Sequence, residues 1–165
     1  MTDSFYELLV TRQKSGKDRL IFILSIGIVF LPILFFIILG PFTVLVVVAL
    51  GALSYFFVWS KRNVEYEYSL LNHDLEIDII YNQAKRKKLT SLDLTQAELI
   101  APLTSHRMDS YRRISATDYS SGQKNDDVFA IVISQNQQVQ CILVELDESM
   151  KNHFASFLPR TFFKD

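Results

Sequence analysis

Cysteine is almost absent from this chain: Cys141 is the only one in 165 residues. A single thiol excludes an intrachain disulfide framework and a cysteine-rich zinc site. Its place in an apolar, strand-like run reads as a buried structural thiol rather than a nucleophile, which needs an electropositive, accessible setting. Glycine is scarce as well, at five residues. None falls in a Walker loop, a G-x-G-x-x-G turn or a G-x-S-x-G elbow, so the loops that cradle phosphate or present a serine nucleophile are missing. His73, His106 and His153 are scattered, without the spacing that puts two metal ligands on one helical face. The formal net charge of -1 gives no support to a generally basic nucleic-acid binder or an acidic tail. The largest absence is local: from Leu20 through Ser60 there is no Asp, Glu, Lys, Arg or His.

That charge-free stretch divides the chain. Leu20 to Leu39 is apolar throughout, Gly40-Pro41 breaks it, and Phe42 to Trp59 is apolar again. Crossing a hydrocarbon core of about 30 Å takes roughly 20 helical residues, so the pattern predicts a transmembrane helical hairpin over residues 20–60, with spans at 20–39 and 42–59. A cleavable signal peptide is disfavoured, because its apolar core is shorter and ends in a small-residue cleavage site. Arg12, Lys14, Lys17 and Arg19 precede the first span and Lys61 and Arg62 follow the second, while the turn between them carries no charge. The positive-inside rule then places both termini in the cytoplasm of a multi-pass protein of the cell membrane. Pro32 is expected to bend the first helix, and Gly27, Ala49, Gly51, Ala52 and Ser54 to let the two helices approach closely. With no ionisable residue inside either span, a proton relay or an ion pathway has little support. Residues 1–19 read as a cytoplasmic amphipathic segment, because Phe5, Leu8 and Leu9 have helical spacing and basic residues follow them.

Beyond Lys61 the period changes to strict alternation. Val64, Tyr66, Tyr68 and Leu70 face one way, with Glu65, Glu67 and Ser69 opposite; Asn72-His73-Asp74 is turn chemistry; Leu75, Ile77, Ile79 and Tyr81 repeat the pattern against Glu76 and Asp78. This predicts a β-hairpin whose acidic face is solvated. The basic run Lys85-Arg86-Lys87-Lys88 leads to a third strand ending near Leu92. A fourth strand is expected at Glu98–Pro102, a short one near Tyr111–Ala116, and two strong strands in DVFAIVIS and VQCILVEL on either side of Gln135-Asn136-Gln137. Met150, Phe154, Phe157 and Leu158 share one helical face, capped by Asp147 or Ser149 and ended by Pro159. The sum is an α+β membrane protein whose cytoplasmic domain, 61–165, has six or seven antiparallel strands followed by one helix, an order that resembles a pleckstrin-homology-like half-open barrel.

The run NVEYEYSLLNHDLEIDIIYNQAKRKKLTSLDLTQAELIAP, with its Leu92-Asp93-Leu94 step, resembles the opening strands of bacterial pleckstrin-homology-like domains. The whole chain, including DSFYELLVTRQKSGKD, is similar to an uncharacterised Firmicute family of two-transmembrane-helix proteins, domain of unknown function 6106. The resemblance implies a membrane-tethered scaffold or binding module and carries over no catalytic, cofactor or metal residue. The residues themselves agree: Glu65, Glu67, Glu76 and Asp78 lie where a solvated face is expected, not in a paired-carboxylate cleft. Lys85, Arg86, Lys87 and Lys88 either pair with that face across the sheet or meet anionic lipid headgroups or a partner, charge balance being the favoured reading. The expected function is therefore a non-enzymatic interaction module in the lipid bilayer, binding a protein or an anionic lipid and no nucleic acid. The alternatives are an accessory subunit of a transport or envelope-synthesis complex and, less favoured, a membrane-bound enzyme.

Overall fold

The computed structural model describes residues 5–59, 62–123, 127–135 and 138–164. They fall into two units: a β unit drawn from residues 1–13, 65–80 and 86–165, and a helical unit drawn from 14–64 and 81–85.

In the helical unit, the Ser15 backbone N–H donates to the Asp18 carboxylate at 2.9 Å. Helix α1 (Gly16–Phe30) therefore starts a turn before the apolar run does. Pro32 has no N–H to continue an α-helix, and the chain tightens there into a 3-10 turn, Leu31–Phe35, before resuming as α2 (Phe36–Leu39). The stretch Gly16–Ile38 is 23 residues long and apolar enough to cross a membrane; at a rise of about 1.5 Å per residue it measures roughly 34 Å. Gly40, at φ 55°, turns the chain through a conformation that glycine adopts without a Cβ penalty. Helix α3 (Phe42–Phe57) follows. It is apolar but shorter than α1–α2, and packs against α1. Ser25, Pro32 and Thr43 are buried in this unit, and the Ser25 hydroxyl donates to the Phe22 carbonyl at 2.7 Å. The expected close approach at Gly27 and Gly51 does not occur: a Cβ at either would meet nothing within 4 Å. Near the end of the unit, Trp59 packs on Phe22 with ring centroids 5.4 Å apart, and the Arg62 guanidinium lies 4.2 Å over the same ring.

The β unit begins with a correction. Phe5, Leu8 and Leu9 do not lie on a helix; β1 (Phe5–Thr11) is a strand. Tyr6, Leu8 and Val10 turn inward while Phe5, Glu7, Leu9 and Thr11 turn outward, a period of two that the same residues also satisfy. What decides between the periods is a distant partner: β1 pairs antiparallel along its whole length with β2 (Val64–Leu71), from Phe5↔Leu71 to Thr11↔Glu65. The N-terminal residues thus belong to the β unit instead of forming a separate segment. Strands β3 (Asp74–Tyr81) and β4 (Lys85–Asp93) complete a sheet ordered β1-β2-β3-β4. Its turns use left-handed residues: Asn72 at φ 53°, then Asn82 and Gln83 at 48° and 55°. Two successive positive φ values match the right-handed twist of a tight hairpin.

The second sheet is ordered β5-β7-β8-β6, from β5 (Ala97–Pro102), β6 (Ala116–Asp118), β7 (Val128–Gln135) and β8 (Gln138–Glu145). The short strand expected at 111–116 lies later: His106–Tyr111 is a 3-10 helix, and β6 runs parallel to β8, pairing Ala116 with Cys141. Asn136 and Gln137, read as the loop between the two strong strands, lie outside the described residues. Among the described residues, β2–β8 are the six or seven strands expected in 61–165; β1 adds one from the N-terminal side, and the strands form two four-stranded sheets where a half-open barrel was expected. The core between them takes Leu70, Leu75 and Ile77 from the first sheet and Ile131 and Ile133 from the second. Helix α4 (Glu148–Phe157) adds Met150 and Phe154, and the Asp147 carboxylate caps it by accepting from the Met150 N–H at 2.8 Å. After Pro159 the chain returns along the free side of β5: the Ile100 N–H donates to Thr161 O, and the Phe163 N–H donates to Ile100 O. Phe162 is buried there, 5.6 Å from the Phe129 ring and 5.8 Å from that of Phe154.

Candidate functional site

Two features of the β unit carry polar groups in a built arrangement: an ionic network on the outer face of the first sheet and a cleft along its β1 edge.

The network centres on Arg86. Its Nη1 lies 2.9 Å from Glu67 Oε2 and its Nε 2.5 Å from Asp78 Oδ2, so one guanidinium bridges carboxylates from β2 and β3. Lys88 pairs with Glu76 beside it. The solvated exterior expected of these strands is therefore only partly present: the Glu67 and Asp78 residues are 6% and 8% exposed. Leu9 of β1 stands opposite Glu67, and the Arg86 side chain lies across it, which together exclude water. A hydrogen bond with Glu7, and then burial, raise the Glu67 carboxyl above its ordinary range, with Arg86 opposing. Asp78 Oδ1 is buried without a hydrogen bond. Arg86 is thus what makes two carboxylates tolerable away from water.

The basic run is not one patch. Arg86 and Lys88 are tied to carboxylates, as charge balance predicted, while Lys85 and Lys87 are exposed and have no carboxylate partner among the described residues. Arg12, Lys14, Lys17 and Arg19 are exposed, and so is Arg62. Lys61 lies outside the described residues. No group of three or more His, Cys, Asp or Glu among the described residues is placed to hold a metal. Cys141 is buried, and burial raises its thiol pKa, the opposite of what a nucleophile needs. His153 approaches the Asn72 carbonyl at 3.3 Å and stacks on Phe157, which also meets His73. His153 belongs to α4, and His73 packs against that helix through Phe157.

The second feature escaped the sequence. A cleft of about 430 Å³ is bounded on one side by the consecutive residues Leu8 to Thr11 of β1, and on the other by Ser121 and the β8–α4 junction. Asp127, Glu145, Asp147 and Glu148 all line it. The Glu145 carboxylate accepts from both the backbone N–H and the hydroxyl of Ser121. Lys151 binds Asp127 at 2.7 Å and Glu148 at 3.0 Å. At one end the Gln13 N–H donates to Ser121 O at 2.8 Å and closes the gap. The available sequence signal was the alternation in FYELLVT, which marks a strand; nothing local marks its neighbour across the cleft.

Two sheets closed by a C-terminal helix, with the opening strand in the first of them, fit the architecture that the sequence resemblance implied. A family described as Bacterial PH-like domain (DUF6106) matches residues 2–164. The chain belongs to that family. The match runs through the helical unit as well as the β unit, so the helices lie within the bacterial PH-like sequence rather than outside it. No curated protein and no solved structure matches the chain. In this PH-like β unit the two polar features offer charge and hydrogen-bonding edges.

Proposed function

We propose that this bacterial PH-like protein is a membrane-anchored, non-enzymatic interaction module, held in the bilayer by a two-helix hairpin, with both termini and the β unit in the cytoplasm. The observation that carries this reading is the register between β1 and β2. Thr11, before the helices, pairs with Glu65, after them. Both flanks of the helical unit are therefore stitched into one sheet, and one sheet occupies one side of a membrane. A chain that leaves through Gly16–Ile38 must come back, and the apolar α3 with the residues up to Trp59 is the segment available to return it. Although α3 alone measures about 24 Å, adding residues up to Trp59 brings the apolar run close to a spanning length. The exposed basic flanks, Arg12 to Arg19 and Arg62, favour the cytoplasmic side. The β unit then presents binding surface, and the ion pairs of Arg86 and Lys88 favour a protein partner over a lipid surface read by the whole basic run.

Topology is tested by labelling intact cells with a membrane-impermeant maleimide in a Cys141→Ser background. Pro41→Cys should label from outside and Asn152→Cys only after lysis; the reverse pattern overturns the placement. The function is tested by gentle purification from native membranes with mass spectrometry of what stays bound. A stoichiometric protein supports the module, whereas selective anionic lipid with no protein moves the reading to a membrane-surface binder.

A further inference from the structure

Each outermost strand of a sheet presents unpaired N–H and C=O groups, and proteins commonly guard such edges with lysines, short strands, bulges or a covering segment. Three of the four edges in this β unit are guarded. β4 opens with Lys85-Arg86-Lys87-Lys88, β5 is covered by Thr161–Phe163, and β6 has three residues. β1 has none of these devices. It is seven residues long, contains no Pro, Lys or Arg, pairs with β2 in unbroken register, and makes no second backbone pairing among the described residues. Its outward side chains Phe5 and Leu9 are 59% and 53% exposed. The open edge also faces a cavity: four consecutive residues of β1 line the cleft, which is the footprint of a backbone edge, since side chains of one face alone would recur at every second residue.

The opposite wall supplies the character of the occupant. Asp127, Glu145, Asp147 and Glu148 bring four carboxylates to the cleft. Lys151 offsets part of this charge, and Asp127 and Glu148 keep side chains 57% and 77% exposed. We propose that this cleft binds an extended, lysine- or arginine-bearing segment of a partner protein, which adds as a fifth strand beside β1 and sets its cations against the acidic wall. Main-chain pairing supplies affinity in this mode, and side-chain pockets and charge supply selectivity. A second copy of this chain fits less well, because two acidic walls would face each other. The proposal rests on the module reading and names its partner class.

The test uses the full-length protein in neutral phosphatidylcholine nanodiscs and two seven-residue probes, one alternating lysine with valine and one alternating glutamate with valine. The lysine peptide should slow amide exchange within residues 8–11 by about tenfold or more, the effect of pairing a previously open edge. Replacing Asp127→Asn and Glu148→Gln together, neither of which caps a helix, should weaken that binding by roughly fivefold, and added salt should weaken it further. The proposal is overturned if the β1 amides are equally protected without peptide, if the glutamate peptide binds as well, or if the neutralised variant binds unchanged. Should the lysine peptide fail while native-membrane purification still returns a stoichiometric protein, the cleft assignment falls and the module reading stands.

Discussion

Replacing Arg86 by Met should destabilise the β unit in a way that depends on pH. The substitution keeps most of the aliphatic stem but strips Glu67 and Asp78 of their shared counter-ion. Breaking a fully buried ion pair costs about 3–5 kcal/mol, mostly from the charge left behind. Arg86 is itself 54% exposed, so water can enter as it leaves and the penalty should fall to about 1.5–3 kcal/mol. For a domain of this size that corresponds to a drop of roughly 6–12 °C in midpoint. The pH signature follows from linkage. Glu67 is already raised in the folded state, and Arg86 is the group that opposes the rise; without the guanidinium the folded state holds the Glu67 proton more firmly, and stability falls more steeply as pH rises through its range. The penalty should therefore be small near pH 5 and largest near pH 8. Thermal unfolding followed by circular dichroism in the strand region, with wild type and R86M side by side across that range, measures it. A penalty under about 0.5 kcal/mol at pH 8, the size of an ordinary surface substitution, or one that does not change with pH, would refute the role assigned to Arg86.

Glu67→Gln should behave in the opposite sense. The folded carboxyl is already raised by its hydrogen bond with Glu7 and by burial, so its contribution is fully present at acid pH and lost as pH rises through the raised value. As a neutral mimic of the protonated acid, the variant should match wild type near pH 4, within about 1 kcal/mol, show a flatter stability profile between pH 4 and 7, and be at least as stable as wild type near pH 7–8. Asp147→Ala removes the acceptor for the Met150 N–H and should cost about 1 kcal/mol in chemical denaturation, as N-cap losses do. Phe162→Ala opens a cavity between Phe129 and Phe154, for an expected loss of about 3–4 kcal/mol. It should also speed exchange at the Ile100 amide, whose acceptor lies in the same tail segment.

Much of this arrangement could be read locally. The alternation from Val64 to Tyr81 specifies a hairpin and its inward face, and Asn72 and Asn82 mark its turns because asparagine tolerates positive φ. Asp147 announces α4, and Pro32 announces the 3-10 turn. The failures share one cause, which is dependence on residues far along the chain. Phe5, Leu8 and Leu9 satisfy a helical period and Tyr6, Leu8 and Val10 satisfy a strand period; only the edge of β2, more than fifty residues on, selects between them. The burial of Glu67 needs β1 on one side and Arg86 above, neither of which its own strand reveals. The cleft is one step further removed, because its two walls come from the two ends of the sequence. The conflict between a polar, alternating pattern and a buried carboxylate is the kind that marks sites where local and global preferences disagree.

The pairing of Thr11 with Glu65 has a consequence for how separable the two units are. β1 and β2 are neighbouring antiparallel strands whose facing ends can be joined by a turn of a few residues, yet the chain inserts the whole helical unit at that point. If the β unit owes its stability to its own core, replacing residues 12–64 by Asn-Gly, which joins Thr11 to its partner Glu65 through a two-residue turn, should close an ordinary hairpin and release a soluble, folded β unit. The shorter connection also lowers the entropy cost of bringing β1 to β2, by about 0.6 kcal/mol for each halving of loop length. β1 should then pair at least as firmly as in the full chain, with amide protection retained from Phe5 to Val10. A soluble product with the strand spectrum and cooperative melting supports an independent β unit carrying a helical insertion. A product that aggregates, or that loses protection in β1 alone, would mean that the helices contribute to the stability of the sheet, and the two units would have to be treated as one folding body.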